Sequence, residues 1–348
     1  MREKRVVVFF VSLLLILASG FMLFAGGKQE KTTGTSAPKE KKMVMAMVTN
    51  QSGLGDQAFN DATWAGFKLA EKKLGITPKV MEAREQAQYV PYLSTLAEQK
   101  ADLIVGVGFM IQDAVKEVAE MYPDLHFGIV DGTVKLPNVA SLHFREDQGA
   151  FLMGAIAAKM TKSGIVGFVG GMSTPITNRF EAGYRAGVMT ANPKVKVLVS
   201  YAGTFADPAK GEEMAMAEYN QGADIVFQVA GQTGMGVINA AKKVNKWAIG
   251  VDRDQNYLAP DNVLSSMVKR LDIAVFNAIK MVVDGKFKGG IYSYGLKEGG
   301  IEIAPTTSKH VPKEVLDYVN MLKDKIIAGE ITPPATLKEL ESYKPPKI

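Results

Sequence analysis

The chain has 348 residues, of which 47% are hydrophobic and 22% charged, and it contains 34 glycines and 15 prolines. This length exceeds one compact core of usual size, so we expect two lobes or domains. Cysteine is absent, which excludes disulfides, thiolate metal sites, thiol nucleophiles and lipid attachment to a cysteine. Only His126, His143 and His310 remain, without an HExxH-type partner, so no metal site or catalytic residue is predicted.

The amino terminus has the pattern of an export signal. Basic residues in 2–5 precede Val6–Phe24, a run without a charged residue, and small residues follow at Ala25–Gly27. The pattern favours cleavage near Gly27, although the run is also long enough for a retained membrane anchor. Three of the positive charges lie in this segment, so the net charge of +5 gives little support to nucleic-acid binding.

Residues 28–42 contain no large apolar side chain and are rich in Lys, Thr, Ser and Gly. This composition predicts a flexible tether between the membrane and a folded domain. An exported, tethered chain acts outside the cytoplasm, and transport, adhesion and envelope enzymology all remain open at this point.

From Met43 the chain alternates short apolar runs with amphipathic segments. Helical patterns cover 62–74 and 89–99, and apolar strands are predicted around them. Short buried strands between helices indicate βαβ units and a mainly parallel sheet, so the predicted class is α/β.

A weak internal repeat locates a second sheet. The segment 101–108 is followed by a helix at 114–121 and by a strand that ends at Asp131. The segment 223–231 is followed by a helix at 237–243 and by a strand that ends at Asp252. Any two βαβ units look somewhat alike, but the matching plan predicts two similar sheets that present their strand ends to one cleft.

The loop after the first strand, from Asp56 to Asp61, carries a candidate ligand contact. Phe59 is a large aromatic residue in a polar loop, where a flat ligand ring is one candidate to cover it. Asn60 or Asp61 is predicted to cap the following helix. Asp131 and Asp252 end apolar strands, where a carboxylate needs hydrogen-bond donors from helix N-termini or from a ligand.

Two further motifs lie at predicted strand ends. Gly231 begins a GxxGxG segment without the Lys-Ser/Thr pair of a P-loop, which favours close backbone approach to a ligand over a dinucleotide site. Residues 171–175 contain no GxSxG elbow. Lys269 follows an extended run; it is either a solvated surface residue or a donor that points into the cleft.

The assembled motifs resemble the basic membrane protein family of ABC-transporter substrate-binding proteins, which includes purine nucleoside receptors. The matching segments lie in order between Met43 and Gly300: DQAFN at 56–60, FGIVD at 127–131, QGAFLMGAIAA at 148–158, GFVGGM at 167–172, RFEAGYRAG at 179–187, AGQTGMG at 230–236, IGVDRDQ at 249–255 and SSMVK at 265–269.

The resemblance implies a two-lobed periplasmic-binding-protein fold of class I type, whose chain crosses between the lobes more than once. It implies these divisions: 1–27 signal or anchor, 28–42 tether, 43–142 with about 268–295 lobe 1, 143–267 with about 296–335 lobe 2, and 336–348 a C-terminal tail.

It also implies a purine nucleoside bound between the lobes and delivered to a permease with its ATPase, without a cofactor and without enzymatic activity. By that resemblance Phe59 and Phe205 stack on the base, with Phe109, Phe180 and Phe227 open as the second face. Asp56, Asn60 and Asp131 are placed near the base or ribose, Gly231 beside the ligand, and Asp252 and Lys269 at the ribose hydroxyls.

Alternatives remain open: a receptor for a sugar or another flat heterocycle, a nucleoside-cleaving enzyme, or a signalling or adhesion module. Many relatives carry a cysteine after the signal, where this chain has Phe24–Gly27. The expected location is therefore the periplasm or the outer face of the cytoplasmic membrane, without a cysteine-linked lipid.

Overall fold

A computed structural model describes residues 42–347 of the chain. The predicted signal or anchor at 1–27 and all but the last residue of the predicted tether at 28–42 lie outside the described residues. Within 42–347, none of the helices has the length and apolar character needed to cross a bilayer.

The first sheet, sheet 1, contains six strands in the spatial order β11 (Gly290–Tyr294), β5 (Val139–Phe144), β4 (His126–Val130), β3 (Leu103–Val107), β1 (Val44–Val48) and β2 (Thr77–Met81). All neighbouring pairs are parallel. Every residue of the central strand β3 is buried, as expected for an apolar run covered by helices on both faces.

The second sheet, sheet 2, repeats this plan in the order β12 (Ile301–Ile303), β10 (Val263–Lys269), β9 (Trp247–Asp252), β8 (Ile225–Val229), β6 (Ile165–Gly170) and β7 (Lys196–Tyr201). Its one antiparallel pair is β10 with β12. The repeat predicted from sequence therefore corresponds to β3, β4, β8 and β9.

Helices cover both sheets. Sheet 1 and its helices, which we call lobe 1, include α1 (Phe59–Leu74), α2 (Tyr89–Glu98), α3 (Gln112–Met121) and α8 (Leu271–Val283). Sheet 2 and its helices, lobe 2, include α4 (Glu146–Met160), α5 (Pro175–Ala191), α6 (Pro208–Asn220), α7 (Thr233–Lys243), α9 (Lys313–Ile327) and α10 (Leu337–Glu341). The predicted α/β class with mainly parallel sheets is confirmed.

The chain passes between the sheets three times, after β5, after β10 and between β11 and β12. The first two breaks were expected after 142 and 267, but the strands run on to Phe144 and Lys269. Residue 269 therefore belongs to lobe 2. The expected tail at 336–348 includes α10, whose Leu340 is buried.

The first two crossings share one local structure. Arg145 and Arg270 each precede a helix, with φ/ψ of −95°/67° and −76°/56°. Each guanidinium donates two hydrogen bonds to the aspartate two residues later, Asp147 or Asp272. Their backbone N–H groups donate to the carbonyls of Tyr294 and Gly300, at the two ends of the third crossing.

Two of the motifs that carry the family resemblance form a closely packed helix pair, α4 against α5. A Cβ at Gly187 would lie 1.9 Å from the carbonyl oxygen of Phe151, and one at Gly154 would lie 2.1 Å from that of Tyr184. Glycine at these positions allows the two backbones to approach closely. The motifs at 148–158 and 179–187 therefore specify packing within lobe 2.

Candidate functional site

A pocket lies between the carboxyl ends of the strands of the two sheets, with an empty volume of about 730 Å³ counted to its opening. Its apolar lining consists of Phe59, Phe109, Met110, Ile176, Phe180, Phe205, Val229, Ala230 and Val251. Its polar side chains are Asn50, Gln51, Asp131, Thr174, Thr177, Asp252 and Lys269, with backbone from Gly108 and Gly231.

Seven of the nine predicted site residues are thus brought together in this pocket: Phe59, Phe109, Asp131, Phe205, Gly231, Asp252 and Lys269. The other two, Asp56 and Asn60, do not line it. Phe180 and Phe227 were both alternatives for the second stacking face. Phe180 lines the pocket, whereas Phe227 lies in the core of lobe 2.

Asp56 organises the loop that leads into α1. Its carboxylate accepts hydrogen bonds from the backbone N–H groups of Ala58, Asn60 and Asp61 and from the Asn60 side chain. The residue is fully buried, and burial raises its pKa despite these donors. Asp56 therefore caps the start of α1, and the prediction that Asn60 or Asp61 is the cap is wrong.

Asn60 is also fully buried, and its side chain holds the end of β1 to α1. Its Nδ2 donates to Asn50 Oδ1 over 2.7 Å, and its Oδ1 accepts from the Asn50 backbone N–H over 3.2 Å. Asn50, in turn, lines the pocket. Within the described structure, Asn60 therefore supports a lining residue from behind.

Asp131 and Asp252 occupy matching places at the ends of β4 and β9. Both have left-handed backbone conformations, with φ of 60° and 65°. A non-glycine residue adopts this conformation at some cost, and such residues concentrate at functional sites. The repeat therefore turns one carboxylate from each lobe into the pocket.

Lys269 lies at the end of β10 and is 2% exposed. Its Nζ donates to Asp131 Oδ2 over 2.5 Å and to Glu146 Oε1 over 2.8 Å. Burial opposes the charge on Lys269, but the nearby carboxylates outweigh it and raise its pKa. Helix N-termini were one expected source of hydrogen bonds to Asp131. In the structure the donor is the ammonium group of Lys269.

Aromatic rings surround the same ammonium group. The Lys269 Nζ lies 4.7 Å from the ring centroid of Phe144, 5.2 Å from that of Phe59 and 5.8 Å from that of Phe180. Rings at these distances stabilise a cation. Lys269, Asp131 and Glu146 form a charged cluster. Because Phe59 and Phe180 also line the pocket, the ammonium group of this cluster contacts two of the rings in the lining.

The charges in the cluster are unequally compensated. Glu146 also accepts from Arg179 over 3.0 Å, and the charges of Lys269 and Arg179 outweigh burial and hold its pKa below the ordinary value. Burial raises the pKa of Asp131 to about 6, and its Oδ1 has no hydrogen-bond partner among residues 42–347.

Asp252 is less well compensated than Asp131. Its carboxylate accepts no hydrogen bond within residues 42–347, and burial raises its pKa to about 7. A buried carboxylate without a donor is costly. Asp131 Oδ1 and Asp252 thus present acceptor oxygens that a ligand with hydroxyl or amine donors can satisfy.

A glycine makes room for the Phe205 ring. A Cβ at Gly171 would lie 2.3 Å from a ring carbon of Phe205. The Phe205 ring therefore packs on the backbone after β6, where any larger residue would displace it.

Glu146, Thr174 and Thr177 were missed by the sequence reasoning. The two threonines cap α5 through reciprocal hydrogen bonds, a signature visible in the sequence. Glu146 follows Arg145 at the first crossing, whereas Leu271 follows Arg270 at the second. An alignment of the two crossings would therefore have marked Glu146 as a charged residue that aligns with an apolar one. Within 42–347 no group of three or more His, Asp or Glu side chains is placed to hold a metal ion.

Comparison with known proteins decides the family. Residues 43–336 match the Bmp family model, described as ABC transporter substrate-binding protein PnrA-like. The chain belongs to this family. It is an exported substrate-binding protein of an ABC transporter, and the predicted non-enzymatic character is confirmed by the family.

A relative from Lactococcus lactis, named ABC transporter nucleoside-binding protein BmpA, is 35% identical over 96% of this chain and 99% of its own length. A relative from Pyrococcus abyssi, named an uncharacterized lipoprotein, is 34% identical over 98% of this chain and 95% of its own.

Among solved structures, the solute-binding protein of an ABC transporter system from Aeropyrum pernix superposes with a TM-score of 0.80 at 31% identity. The match covers 86% of this chain and 96% of the other. The predicted class I periplasmic-binding fold is confirmed.

Proposed function

We propose that this protein binds a purine nucleoside between its two lobes and delivers it to a membrane permease. The observation that carries the proposal is the combination, in one pocket, of aromatic rings from both lobes with two carboxylates that still have acceptor capacity. The printed name of the Lactococcus lactis relative, a nucleoside-binding protein, supports the same ligand class.

The rings account for binding of the base. Phe59 from lobe 1 and Phe205 from lobe 2 are the proposed stacking pair, with Phe109 and Phe180 also in contact with the pocket. Stacking of a base on an aromatic side chain contributes about 1–3 kcal/mol per base. Stacking alone tolerates many flat rings, so it sets affinity rather than ligand identity.

The carboxylates account for recognition of the sugar. Asp252 and the free oxygen of Asp131 are acceptors for ribose hydroxyls, and Lys269 has three N–H donors of which two already bond carboxylates. A buried acceptor left unpaired costs about 1–3 kcal/mol. Analogues without the 2′ and 3′ hydroxyls should therefore be rejected. Gly231, which also lines the pocket, allows close approach of the backbone to the ligand.

Asp56 and Asn60 have a supporting part in this proposal. Because neither lines the pocket, we assign them to holding the loop that carries Phe59 rather than to ligand contacts.

The test is calorimetric titration with inosine, guanosine and adenosine, beside 2′,3′-dideoxyinosine, hypoxanthine and ribose. We expect the ribonucleosides to bind and Phe59→Ala to weaken binding at least tenfold, with an unchanged circular dichroism spectrum. Phe287→Ala, a change outside the pocket, serves as the matched control. Binding of ribose alone, or unchanged affinity of Phe59→Ala, would contradict the proposal.

The proposed location is the periplasm or the outer face of the cytoplasmic membrane, reached through the export signal predicted at residues 1–27. The sequence has no cysteine, so we propose that no cysteine-linked lipid holds it there, although the Pyrococcus abyssi relative is named a lipoprotein. Mass spectrometry of the protein from a cell-envelope fraction tests this. An intact or cleaved unmodified amino terminus is expected, and a lipid adduct would contradict it.

A further inference from the structure

Hydrogen bonds from side chains that do not line the pocket join the two lobes. The loop at 51–58, between β1 and α1, lies in lobe 1. Ser52 Oγ in this loop donates to the backbone carbonyl of Phe205 in lobe 2 over 2.9 Å. Since Phe59 follows the loop directly, this bond ties the segment before one proposed stacking ring to the residue that carries the other.

Gln57 meets lobe 2 twice. Its backbone carbonyl accepts from Gln255 Nε2 over 3.0 Å, and its side-chain Oε1 accepts from the hydroxyl of Tyr257 over 2.6 Å. The backbone of Gln57 is left-handed, with φ of 55°. Its own N–H donates to Asp61 Oδ2 over 3.1 Å, so lobe 1 itself holds this unusual conformation.

The partner in lobe 2 is also held in place from within its own lobe. Gln255 is fully buried, and its Oε1 accepts from Gln228 Nε2 over 2.8 Å and from the Val251 backbone N–H over 3.0 Å. Its backbone N–H donates to Ser266 Oγ. The Gln255 amide is therefore oriented toward lobe 1 by bonds that do not depend on lobe 1.

A charged pair lies beside these hydrogen bonds. Arg253 Nη1 is 3.6 Å from Asp61 Oδ2, the oxygen that also accepts from Gln57. Arg253, Gln255 and Tyr257 immediately follow Asp252, which lines the pocket, but they do not line it themselves. The hydrogen bonds from Ser52 to Phe205 and from Gln255 and Tyr257 to Gln57, like the Arg253–Asp61 pair, join residues of different lobes. They break if the lobes separate.

We propose that Ser52, Gln57, Arg253, Gln255 and Tyr257 form a latch that stabilises the closed arrangement of the lobes and so sets ligand affinity without touching the ligand. The apparent affinity of a protein for its ligand decreases when a smaller fraction of the molecules is in the binding-competent state. The latch rests on the proposed function only for the identity of the ligand. Its effect on the lobes is independent of that identity.

The latch variant is Arg253→Ala with Tyr257→Phe, which removes a guanidinium and a hydroxyl from exposed positions. The matched control is Arg185→Ala with Tyr292→Phe, because those groups bond within single lobes, to Glu181 and to the Lys288 carbonyl. Both variants are compared with the wild-type protein by titration with inosine and by stopped-flow kinetics.

Lobe separation is measured directly with spin labels on cysteines introduced at Glu98 in α2 and Lys242 in α7, both exposed. The chain has no cysteine of its own, so these are the only labelled positions. Distances between the labels give the closed fraction with and without nucleoside.

We expect the latch variant to bind inosine about three- to tenfold more weakly, because one hydrogen bond and one ion pair between the lobes are lost. Dissociation should be faster and association unchanged, and the closed fraction should be smaller than in wild type and in the control. Equal closed fractions in the latch variant and wild type, with and without nucleoside, would overturn the latch. If the wild type binds no nucleoside, the proposed function fails, while the label distances of the ligand-free proteins still decide the latch.

Discussion

The two lobes share a strand order but differ in their charges. Asp131 in lobe 1 and Asp252 in lobe 2 end matching strands with nearly the same φ. Asp131 is paired with Lys269, whereas Asp252 accepts no hydrogen bond within residues 42–347. The fold repeats the position of the carboxylate, and the ammonium group makes the two carboxylates unequal.

This inequality arises at the first two crossings. Aligning Arg145 with Arg270 places Lys269 opposite Phe144, and Glu146 opposite Leu271. Each crossing thus has one apolar and one charged residue at these places, and the two charged residues, both of lobe 2, meet. Two lobes of the same plan therefore form an asymmetric site because their residues differ at two pairs of matched positions, which leaves Asp252 without a hydrogen-bonded cation within residues 42–347.

The largest effect on this asymmetry is expected when Lys269, the cation of the charged cluster, is removed. Lys269→Met leaves Asp131 and Glu146 buried without their shared donor, so we expect a loss of about 3–5 kcal/mol in the free energy of unfolding. Denaturant titration measures it. Lys280→Met, which breaks an exposed pair with Asp284, is the control, with an expected loss of less than about 1 kcal/mol. Similar losses in the two variants would contradict the compensation described here.

A second difference between the lobes is a buried carboxyl group, Glu218, where α6 packs on β6. The end of α6 matches the end of α2, so Glu218 of lobe 2 takes the place of the buried Leu96 of lobe 1. In the adjacent strands, Gly167 takes the place of Ala46. A Cβ at Gly167 would lie 2.0 Å from Glu218 Oε2. The carboxyl group therefore fills the space that a methyl group and a leucine fill in lobe 1.

Glu218 predicts a pH dependence of stability. Burial raises its pKa from 4.5 to about 8, so the folded protein keeps a proton that the unfolded chain releases. Stability should fall as pH rises from about 5 to 8, by about 2–4 kcal/mol. Glu218→Gln should remove this component. Denaturant titrations at several pH values measure it, and an equal pH dependence in the variant would contradict the assignment.

The two matched aspartates should respond in opposite directions to the same change. Burial raises the pKa of Asp131 as well, to about 6, but Asp131→Asn also takes one of two hydrogen-bonded carboxylates from the buried Lys269. We expect this second effect to dominate, with a loss of about 2 kcal/mol in the free energy of unfolding. Asp252→Asn removes a carboxylate whose pKa is raised from 3.8 to about 7, so its ionisation opposes folding above pH 3.8. A gain of about 1 kcal/mol is expected at pH 8, and none at pH 4. Denaturant titration of the ligand-free proteins measures both, and equal losses would refute the difference.

The smallest effects are expected at the two crossing arginines. Arg145→Ala leaves the side chain of Asp147, which is 0% exposed, without its partner, and we expect a loss of about 1–2 kcal/mol. Arg270→Ala exposes Asp272, whose side chain is already 30% exposed, and should cost less than about 1 kcal/mol. Thermal unfolding ranks the two, and the reverse order would show that burial of the aspartate does not decide the cost.

Much of the fold could be predicted because it depends on local patterns. The helices predicted at 62–74, 89–99, 114–121 and 237–243 all occur, and some begin up to four residues earlier than predicted. The start of α1 was missed because its cap comes from Asp56, outside the helix. A side chain that reaches several backbone N–H groups leaves no periodic signal.

Residue types and their spacing determined the α/β class, the repeat, and the carboxylates and rings at strand ends. These follow from burial and from the period of strands and helices, which a sequence records directly. Tertiary structure alone decided that Lys269 is enclosed by Asp131, Glu146 and aromatic rings rather than solvated, because these residues are brought together only when the chain crosses between the sheets. It also decided that Asp56 and Asn60 hold the loop next to the pocket instead of lining the pocket. The sequence of a loop does not show which of its side chains bond to its own backbone.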